Sequence, residues 1–236
     1  MRAGVRELGV VVPARDEEEL LPVCLAAIDR ATRHPAVVGT AVTVVVVDDG
    51  STDATAAVAR AAGAVALGME SGGNVGAARD RGVRELLAGG RCAEQLWVAG
   101  TDADSEVPED WLAEQLAVAR AGWDAVVGTV AVTDWSGHPA SVAAAFDLGY
   151  EGWRGDGAAH PHVHGTNLGV RGSAYLAAGG YPPLPVHEDV ALVQALVATG
   201  ARVLRSPATP VVTSTRRAAR AVGGFGDHLR ELATGG

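Results

Sequence analysis

Short apolar runs alternate with amphipathic stretches through the first half of the chain. A continuous β-branched run such as 42–47 is typical of a strand buried on both faces of a sheet. A stretch such as 17–30 instead places Leu and Ile at helical spacing, which predicts a helix with one buried face. The predicted strands are 8–13, 42–47, 64–67, 96–99 and 124–132, and the predicted helices are 17–30, 54–62, 75–87 and a fourth ending near residue 121. This alternation predicts an α/β fold with a mostly parallel central sheet and helices on both faces.

The second half of the chain is less regular. Residues 151–163 are rich in Gly, His and Pro, a composition typical of a loop. The other predicted elements are helices at 141–150 and 187–199, turns at 165–172 and 179–183 with a short helix between them, strands at 201–204 and 210–212, and a tail at 213–232. No stretch is typical of a linker between domains, so we expect a single domain over residues 1–236.

Acidic loops follow three of the predicted parallel strands, at 15–17, 48–49 and 102–104. Crossovers between parallel strands are right-handed, so these loops leave the sheet along one carboxyl edge. Ligands of open α/β sheets bind at that edge. The sequence therefore predicts a site where the three loops meet.

The third of these loops contains the carboxylates of Asp102 and Asp104, one residue apart. In an extended chain, residues i and i+2 point to the same side, so the two groups can converge on one hard cation. Two carboxylates with water suit Mg²⁺ or Mn²⁺, which often also hold a substrate diphosphate. The alternative is that Asp104 or Ser105 only caps the following helix.

Composition narrows the classes of function. The 236 residues are 48% hydrophobic, enough for a full core, and the net charge of −9 does not favour general nucleic-acid binding. The chain contains no lysine, which excludes a Schiff-base or P-loop lysine, whereas arginines remain to hold phosphates. Cys24 and Cys92 are expected to be reduced thiols, although one disulfide stays open. Without a signal-peptide pattern or a long apolar run, we expect a soluble cytoplasmic protein without a transmembrane segment.

Several motifs resemble those of one enzyme family. They are V-V-V-P-A-R-D-E-E-E at 10–19, V-V-V-V-D-D-G-S-T-D at 44–53, N-V-G-A-A-R-D-R-G at 74–82, T-D-A-D-S at 101–105, G-T-N-L-G-V-R at 165–171, G-G-Y at 179–181 and H-E-D at 187–189. In this order they resemble family 2 glycosyltransferases of the GT-A, or nucleotide-diphospho-sugar transferase, fold. The resemblance implies a donor-binding half over 1–132 and an acceptor-binding half with a tail over 133–236.

The resemblance also implies roles in binding a nucleotide-sugar donor. Asp48 and Asp49 would hold the base and ribose, with an Asp-Gly turn as the alternative. Arg79 would lie near the base or diphosphate, or else on a solvated helix face. Asp102 and Asp104 would bind the Mg²⁺ or Mn²⁺ ion. The full implied donor set is Pro13, Arg15, Glu17, Asp48, Asp49, Gly50, Asn74, Arg79, Asp102, Ala103, Gly165, Thr166, Asn167, Arg216 and Arg217, the last two as a basic lid.

For catalysis, the resemblance places the general base at Asp189, beside Glu188. Inverting transfer needs one carboxylate that takes the acceptor hydroxyl's proton during attack on the anomeric carbon. The alternative is that both acids only stabilise a helix N-terminus. Ala191 stands where the family often has a further acid, and Q-x-x-R-W is missing after Gln194, so we expect a non-processive enzyme.

Other readings stay open. A nucleotidyltransferase would need a glycine-rich loop with a basic residue near the N-terminus, which the sequence lacks. A retaining transferase and a non-catalytic nucleotide-sugar-binding protein both remain possible. We expect UDP rather than GDP in the donor and an unknown acceptor near 135–164, where aromatic side chains cluster. His164 and His228 are candidates for a further metal ligand, and the sequence does not give the oligomeric state.

Overall fold

The computed structural model of this chain describes residues 4–69, 73–151, 160–215 and 229–230, without the side chains of residues 150 and 151. Strands and helices alternate through its first half. The strands are β1 Glu7–Ala14, β2 Ala41–Asp48, β3 Val65–Gly68, β4 Leu96–Gly100, β5 Ser105–Glu106, β6 Ala125–Val127, β7 Val130–Ala131, β8 Leu168–Arg171, β9 Val203–Arg205 and β10 Val211–Thr213. The helices are α1 Leu21–Thr32, α2 Thr55–Ala61, α3 Val75–Leu87, α4 Trp111–Arg120, α5 Ala140–Glu151, α6 Gly172–Ala177 and α7 Glu188–Ala198, with a 3₁₀ turn at Gly165–Asn167.

The central sheet has seven strands in the order β3-β2-β1-β4-β8-β6-β9. All neighbouring pairs are parallel except those of β8, which runs antiparallel to both β4 and β6. A smaller sheet has the order β5-β10-β7. The predicted α/β fold with a mostly parallel sheet is therefore confirmed.

Hydrophobic layers lie on both faces of the central sheet. Along β1, Val10 and Val12 pack on one face in a cluster that includes Trp111 of α4. Val11 points to the other face and packs with Val83 of α3. Alternate residues of β1 are thus buried on opposite sides, which explains why the strand is a continuous apolar run.

The prediction of turns over 165–172 is wrong. This segment forms the 3₁₀ turn and then β8, a fully buried strand in the middle of the sheet. Gly169 is needed there because a Cβ at this position would lie 1.9 Å from Oε1 of Gln115. The glycines that suggest turns therefore permit close packing within a strand.

The single strand predicted over 124–132 is also wrong, because it is broken at Gly128. The Gly128 amide donates to the carbonyl of Asn167 at 2.8 Å, and a Cβ on Gly128 would lie 2.2 Å from Nδ2 of Asn167. The part before the break is β6 of the central sheet, and the part after it is β7 of the small sheet. In the described parts of the chain, no helix combines the length and apolar character that crossing a membrane requires.

Candidate active site

Three acidic loops leave the same edge of the central sheet, because they follow the adjacent parallel strands β2, β1 and β4. Ala14 at the end of β1 pairs with Asp48 at the end of β2. Asp48 is the last residue of β2, and the loops that follow the three strands include residues 15–17, 49–53 and 101–104. The structure therefore places the acidic loops along one rim, at the carboxyl ends of the strands.

Hydrogen bonds fasten the loop after β1 to the loop after β2. The Asp16 amide donates to Oγ of Ser51 at 2.9 Å, and the Glu17 amide donates to Oγ1 of Thr55 at 2.7 Å. In return, the Asp16 carboxylate accepts the Thr52 amide at 2.7 Å. Asp16 has a φ of +50°, so its backbone is held in a left-handed conformation where these bonds form. Helix α1 begins at Leu21. The predicted start at residue 17 is therefore wrong, because residues 16–18 form these loop contacts instead.

The predicted donor residues at the end of β1 and in the loop after it differ in exposure. Pro13 is half-buried, Arg15 is exposed and Glu17 is buried. Burial raises the pKa of Asp49, while the positive charge of Arg15 acts against that rise. Arg15 therefore lies near the Asp49 carboxylate of the second acidic loop.

Asp48 and Asp49 have different surroundings although they are adjacent. Oδ1 of Asp48 accepts the Ser51 amide at 2.9 Å and so supports the turn, in which Gly50 has a φ of +72°. Asp49 is 8% exposed, and its buried Oδ1 has no hydrogen-bond partner within the described chain. The Asp-Gly turn thus explains Asp48, whereas Asp49 is buried beside the backbone of Gly73, whose hydrogen bond acts against the rise in the Asp49 pKa.

Asp102, Ala103 and Asp104 form a tight turn, with the Ser105 amide donating to the carbonyl of Asp102 at 3.1 Å. Ala103 is buried, whereas both aspartates are half-buried. Ser105 begins β5, and the N-cap position of α4 is Asp110. The alternative that Asp104 or Ser105 caps the next helix is therefore wrong.

Arg79 of α3 is 2% exposed, which excludes a solvated helix face. Its Nη2 forms an ion pair with Oδ1 of Asp102, and its Nε donates to Oε1 of Glu188 at 3.1 Å. Burial alone lowers the pKa of an arginine, but the carboxylates of Asp102, Glu188 and Asp189 outweigh it and raise the Arg79 pKa. Arg79 stays charged and connects the D-x-D loop to α7.

Glu188 and Asp189 begin α7, after His187 with a φ of +61°. Burial raises the pKa of Glu188 above its usual value, although the attraction of Arg79 acts in the opposite direction. Asp189 is half-buried, and its Oδ2 accepts the Gly165 amide at 2.7 Å while its Oδ1 accepts the Val190 amide at 2.7 Å. Of the two acids, Asp189 is the more accessible from the site.

Thr166 and Asn167 have their polar groups engaged within the fold. Asn167 accepts from Nε1 of Trp111 at 2.9 Å, and its Nδ2 donates to the carbonyls of Thr129 and Thr209. Oγ1 of Thr166 donates to Oγ of Ser105 at 3.0 Å. These residues brace the segment after the D-x-D loop, and their predicted role in donor binding stays a prediction.

Asn74 likewise has a structural role. Its Oδ1 accepts the Ala77 amide at 2.9 Å as the N-cap of α3, and its Nδ2 donates to the carbonyl of Pro183 at 3.0 Å. Its role in donor binding also stays a prediction. Arg216 and Arg217, predicted as a basic lid, lie outside the described residues.

The histidines do not form a metal cluster with other ligands in the parts of the chain that the structure covers. The rings of His160, His162 and His164 stack in sequence, with centroids 6.1 and 6.0 Å apart. Nε2 of the fully buried His160 hydrogen-bonds to the carbonyl of Val127 at 3.1 Å. His164 directly precedes the 3₁₀ turn of the site, and His228 lies outside the described residues.

Comparison with known proteins identifies the family. The sequence profile of "Glycosyl transferase family 2" matches residues 9–176. The chain belongs to glycosyl transferase family 2. Comparison with curated protein sequences gives no match.

Solved structures show the same fold as this family 2 chain. S. aureus TarS 1-349 in complex with UDP-GlcNAc has a TM-score of 0.67 at 17% identity, covering 96% of this chain and 64% of TarS 1-349. The mannosyltransferase PcManGT from Pyrobaculum calidifontis, in complex with GDP-Man and Mn²⁺, has a TM-score of 0.65 at 22% identity, covering 92% and 59% of the two chains. Glucosyl-3-phosphoglycerate synthase from Mycobacterium tuberculosis has a TM-score of 0.56 at 18% identity and covers 96% of this chain and 77% of that one. The chain thus spans about three fifths of the TarS and PcManGT chains.

Two features of this family 2 site were missed in the sequence. The burial of Arg79, which leads to its ion pairs, could have been inferred from the sequence. Arg79 has the helical spacing of Gly76, Val83 and Leu86, which form one buried face of α3. The second feature is a chain of hydroxyl hydrogen bonds from Thr166 to Ser105 and from Ser105 to Thr213, each 3.0 Å long. No local sequence pattern predicts it. Its members come from three distant segments.

Proposed function

We propose that this chain is a metal-dependent glycosyltransferase that moves a sugar from a nucleotide-diphosphate sugar to an acceptor hydroxyl. Transfer is non-processive and inverts the anomeric centre, with Asp189 as the general base. The observation that carries the proposal is the pair of contacts from Arg79 to Asp102 and Glu188. Through them, the D-x-D loop and the acids of α7 border one site.

Asp49 supports recognition of the nucleotide base. Its buried Oδ1 has no hydrogen-bond partner in the described chain, and a buried acceptor without a donor costs about 1–3 kcal/mol. The ring N–H of a base would satisfy it. Uracil and guanine both carry a ring N–H of this kind, so UDP as the donor nucleotide stays a prediction.

The D-x-D turn supports a divalent cation. Asp104 is half-buried in the turn that also contains Asp102, and Asp102 forms an ion pair with Arg79. Mg²⁺ at diphosphate sites is held by only one or two protein carboxylates and otherwise by phosphate and water, so these residues fit Mg²⁺ or Mn²⁺. A bound ion would offset the charge that develops on the departing nucleoside diphosphate.

Asp189 supports the proton transfer. Each of its carboxylate oxygens accepts one backbone N–H, which orients the group and leaves a second lone pair on each oxygen. As the acceptor oxygen bonds to the anomeric carbon, the bond from that carbon to the diphosphate breaks, and the hydroxyl proton passes to Asp189. Glu188 is buried against Arg79 and is not available for this step.

The similar structures support the same class of donor. TarS 1-349 was solved in complex with UDP-GlcNAc, and PcManGT in complex with GDP-Man and Mn²⁺. They support a nucleotide sugar and a divalent cation without specifying the sugar of this chain. The acceptor, the oligomeric state and the cytoplasmic location stay predictions.

The experiment is calorimetric binding of a panel of UDP and GDP sugars, with and without Mn²⁺, together with an assay of slow donor hydrolysis. We expect Mn²⁺-dependent binding of a UDP sugar, lost in Asp104→Ala and weakened about 10-fold or more in Asp49→Asn. Asp189→Asn should bind the donor normally and lose hydrolysis. Asp29→Asn, on the exposed side of α1, is the control.

The outcomes separate the alternatives. No binding to any nucleotide sugar with any metal contradicts the proposal. Binding with no turnover toward water or any acceptor supports a binding protein instead. Once an acceptor is known, a product that keeps the donor's anomeric configuration contradicts inversion.

A further inference from the structure

One buried guanidinium contacts three separate segments of the site. Arg79 on α3 pairs with Asp102 after β4 and with Glu188 on α7. It also lies flat against Gly165, where an added Cβ would come within 2.7 Å of Nη2 and 2.9 Å of Cζ. We call Arg79, Asp102, Gly165, Glu188 and Asp189 the Arg79 junction.

The geometry fits a spacer better than a ligand for phosphate. The side chain of Arg79 is 3% exposed, and two of its nitrogens are already bonded to carboxylates. The third, Nη1, has no hydrogen-bond partner in the described chain, but it is buried next to Gly100. A guanidinium is planar and rigid, so it fixes the separation of the groups bonded to it. The distance between Asp102 and Glu188 is thereby set by one side chain.

The same side chain reaches Asp189 along two routes. Glu188 is its neighbour on α7, and Gly165 donates its amide to Oδ2 of Asp189 at 2.7 Å. Gly165 is confined between Arg79 and Gly100, since a Cβ on Gly100 would lie 3.1 Å from the Gly165 carbonyl oxygen. Moving the guanidinium therefore moves the amide that holds the proposed base.

We infer that Arg79 is a positioning residue that sets the placement of the Asp189 carboxylate relative to the D-x-D loop. This inference rests on the proposed function for its effect on turnover, although the placement itself can be measured without any donor. Arg79 acts through Gly165 and Glu188 and takes no part in the bond changes. Buried ion pairs can often be replaced by hydrophobic side chains without loss of stability. A positioning role gives a reason for a charged residue at position 79.

The test compares wild type with Arg79→Lys, which keeps the charge but cannot bridge two carboxylates at a fixed spacing. The matched control is Arg84→Met on the same helix, where the exposed Arg84 pairs with Asp80. Hydrogen exchange followed by NMR reports on the Gly165 amide in the absence of donor. We expect its exchange to accelerate about 10-fold or more in Arg79→Lys, as for a freed buried amide, and to stay unchanged in Arg84→Met.

Steady-state kinetics on the identified donor give the second readout. A displacement of about 1 Å costs about 100-fold in rate, so we expect kcat to fall about 100-fold in Arg79→Lys. The KM for donor should change by less than about threefold, since the donor contacts are retained. If Arg79 acts through Glu188, Arg79→Lys combined with Glu188→Gln should lower kcat no further than the more damaging single change.

Gly165→Ala is a second variant that tests the same inference if Arg79→Lys does not fold. It pushes the segment away from the guanidinium while every charge remains, and it should release Asp189 in the same way. The inference is overturned if the Gly165 amide exchanges at the wild-type rate in Arg79→Lys. It is also overturned if the wild type is active and Arg79→Lys has the same kcat. Wild-type protein inactive on every nucleotide sugar overturns the proposed function, while the exchange data still decide the role of Arg79.

Discussion

Two regions of the site hold their carboxylates in different ways. The loops after β1 and β2 are joined by several hydrogen bonds from backbone amides to the hydroxyls of Ser51 and Thr55 and to the carboxylate of Asp16. The Arg79 junction relies on one charged group with two carboxylate partners. These bonds act in parallel, so the loss of one leaves the others in place, whereas a buried charge that loses a partner is costly. The first region should therefore tolerate single changes better than the second.

The largest expected effect is at Glu188. Glu188→Ala leaves the buried Arg79 with one carboxylate partner, and removal of one member of a buried ion pair costs about 3–5 kcal/mol. Urea unfolding at pH 7 measures the loss in the free energy of unfolding. Asp29→Ala breaks the exposed pair with Arg33 and should cost less than about 1 kcal/mol. Equal losses in the two variants would contradict the contrast between the regions.

A smaller effect is expected at Thr55, which is fully buried and joins the loops after β1 and β2. Thr55→Val removes the acceptor of the Glu17 amide with little change in shape. The cost should be about 1–3 kcal/mol in the same unfolding measurement. Thr55→Ser keeps the hydroxyl and should recover most of the loss. A Thr55→Val variant as unstable as Glu188→Ala would show that the loops are not held by shared bonds.

The pH dependence of stability should show the charge at the junction. Burial raises the pKa of Glu188 above its ordinary value of 4.5. The unfolded chain then loses this proton at lower pH than the folded chain, so the stabilisation by protonated Glu188 is present below 4.5 and is lost as pH rises through the folded pKa. We compare the free energy of unfolding of wild type with that of Glu188→Gln. The difference, wild type minus variant, should fall as pH rises through this range and then become constant. A difference that rises with pH would contradict the sign.

The smallest expected effect is at His160, outside both regions. Burial lowers its pKa below the ordinary 6.5, helped by the nearby positive charge of Arg205 and by His162, while the hydrogen bond to Val127 acts against it. The contribution of neutral His160 is present above 6.5 and is lost as pH falls toward the folded pKa. Thermal unfolding across this range should show a decline in wild type that is weaker in His160→Gln. Parallel curves would contradict the prediction.

The first half of the fold was predictable because its elements are local patterns. Helix α3 spans Val75–Leu87, as predicted, and β1 and β2 end within a residue or two of their predicted ends. The shared edge of the acidic loops followed from the parallel direction of β1, β2 and β4, whose carboxyl ends lie on the same side. In this half, short-range periodicity and one topological rule were sufficient.

The second half could not be predicted in the same way. β8 is a four-residue strand with an internal glycine, and its identity depends on Gln115 and Trp97 packing against Gly169. The break at Gly128 depends on Asn167, which is far away in sequence. The partners of Arg79 likewise come from distant segments. Periodicity carries no information about such contacts, because they exist only once the tertiary structure has formed.

The antiparallel strand β8 also constrains the order of folding. Residues 7–100 contain β3, β2, β1 and β4 with their connecting helices, so this block can pair as soon as its chain is available. β6 lies at 125–127, but its neighbour toward that block is β8 at 168–171. The far side of the sheet must therefore wait for a segment that comes later in the chain, with the added cost of closing a long loop. In kinetic experiments, we expect the block from β1 to β4 to gain protection first, and the Arg79 junction to form only in the last step.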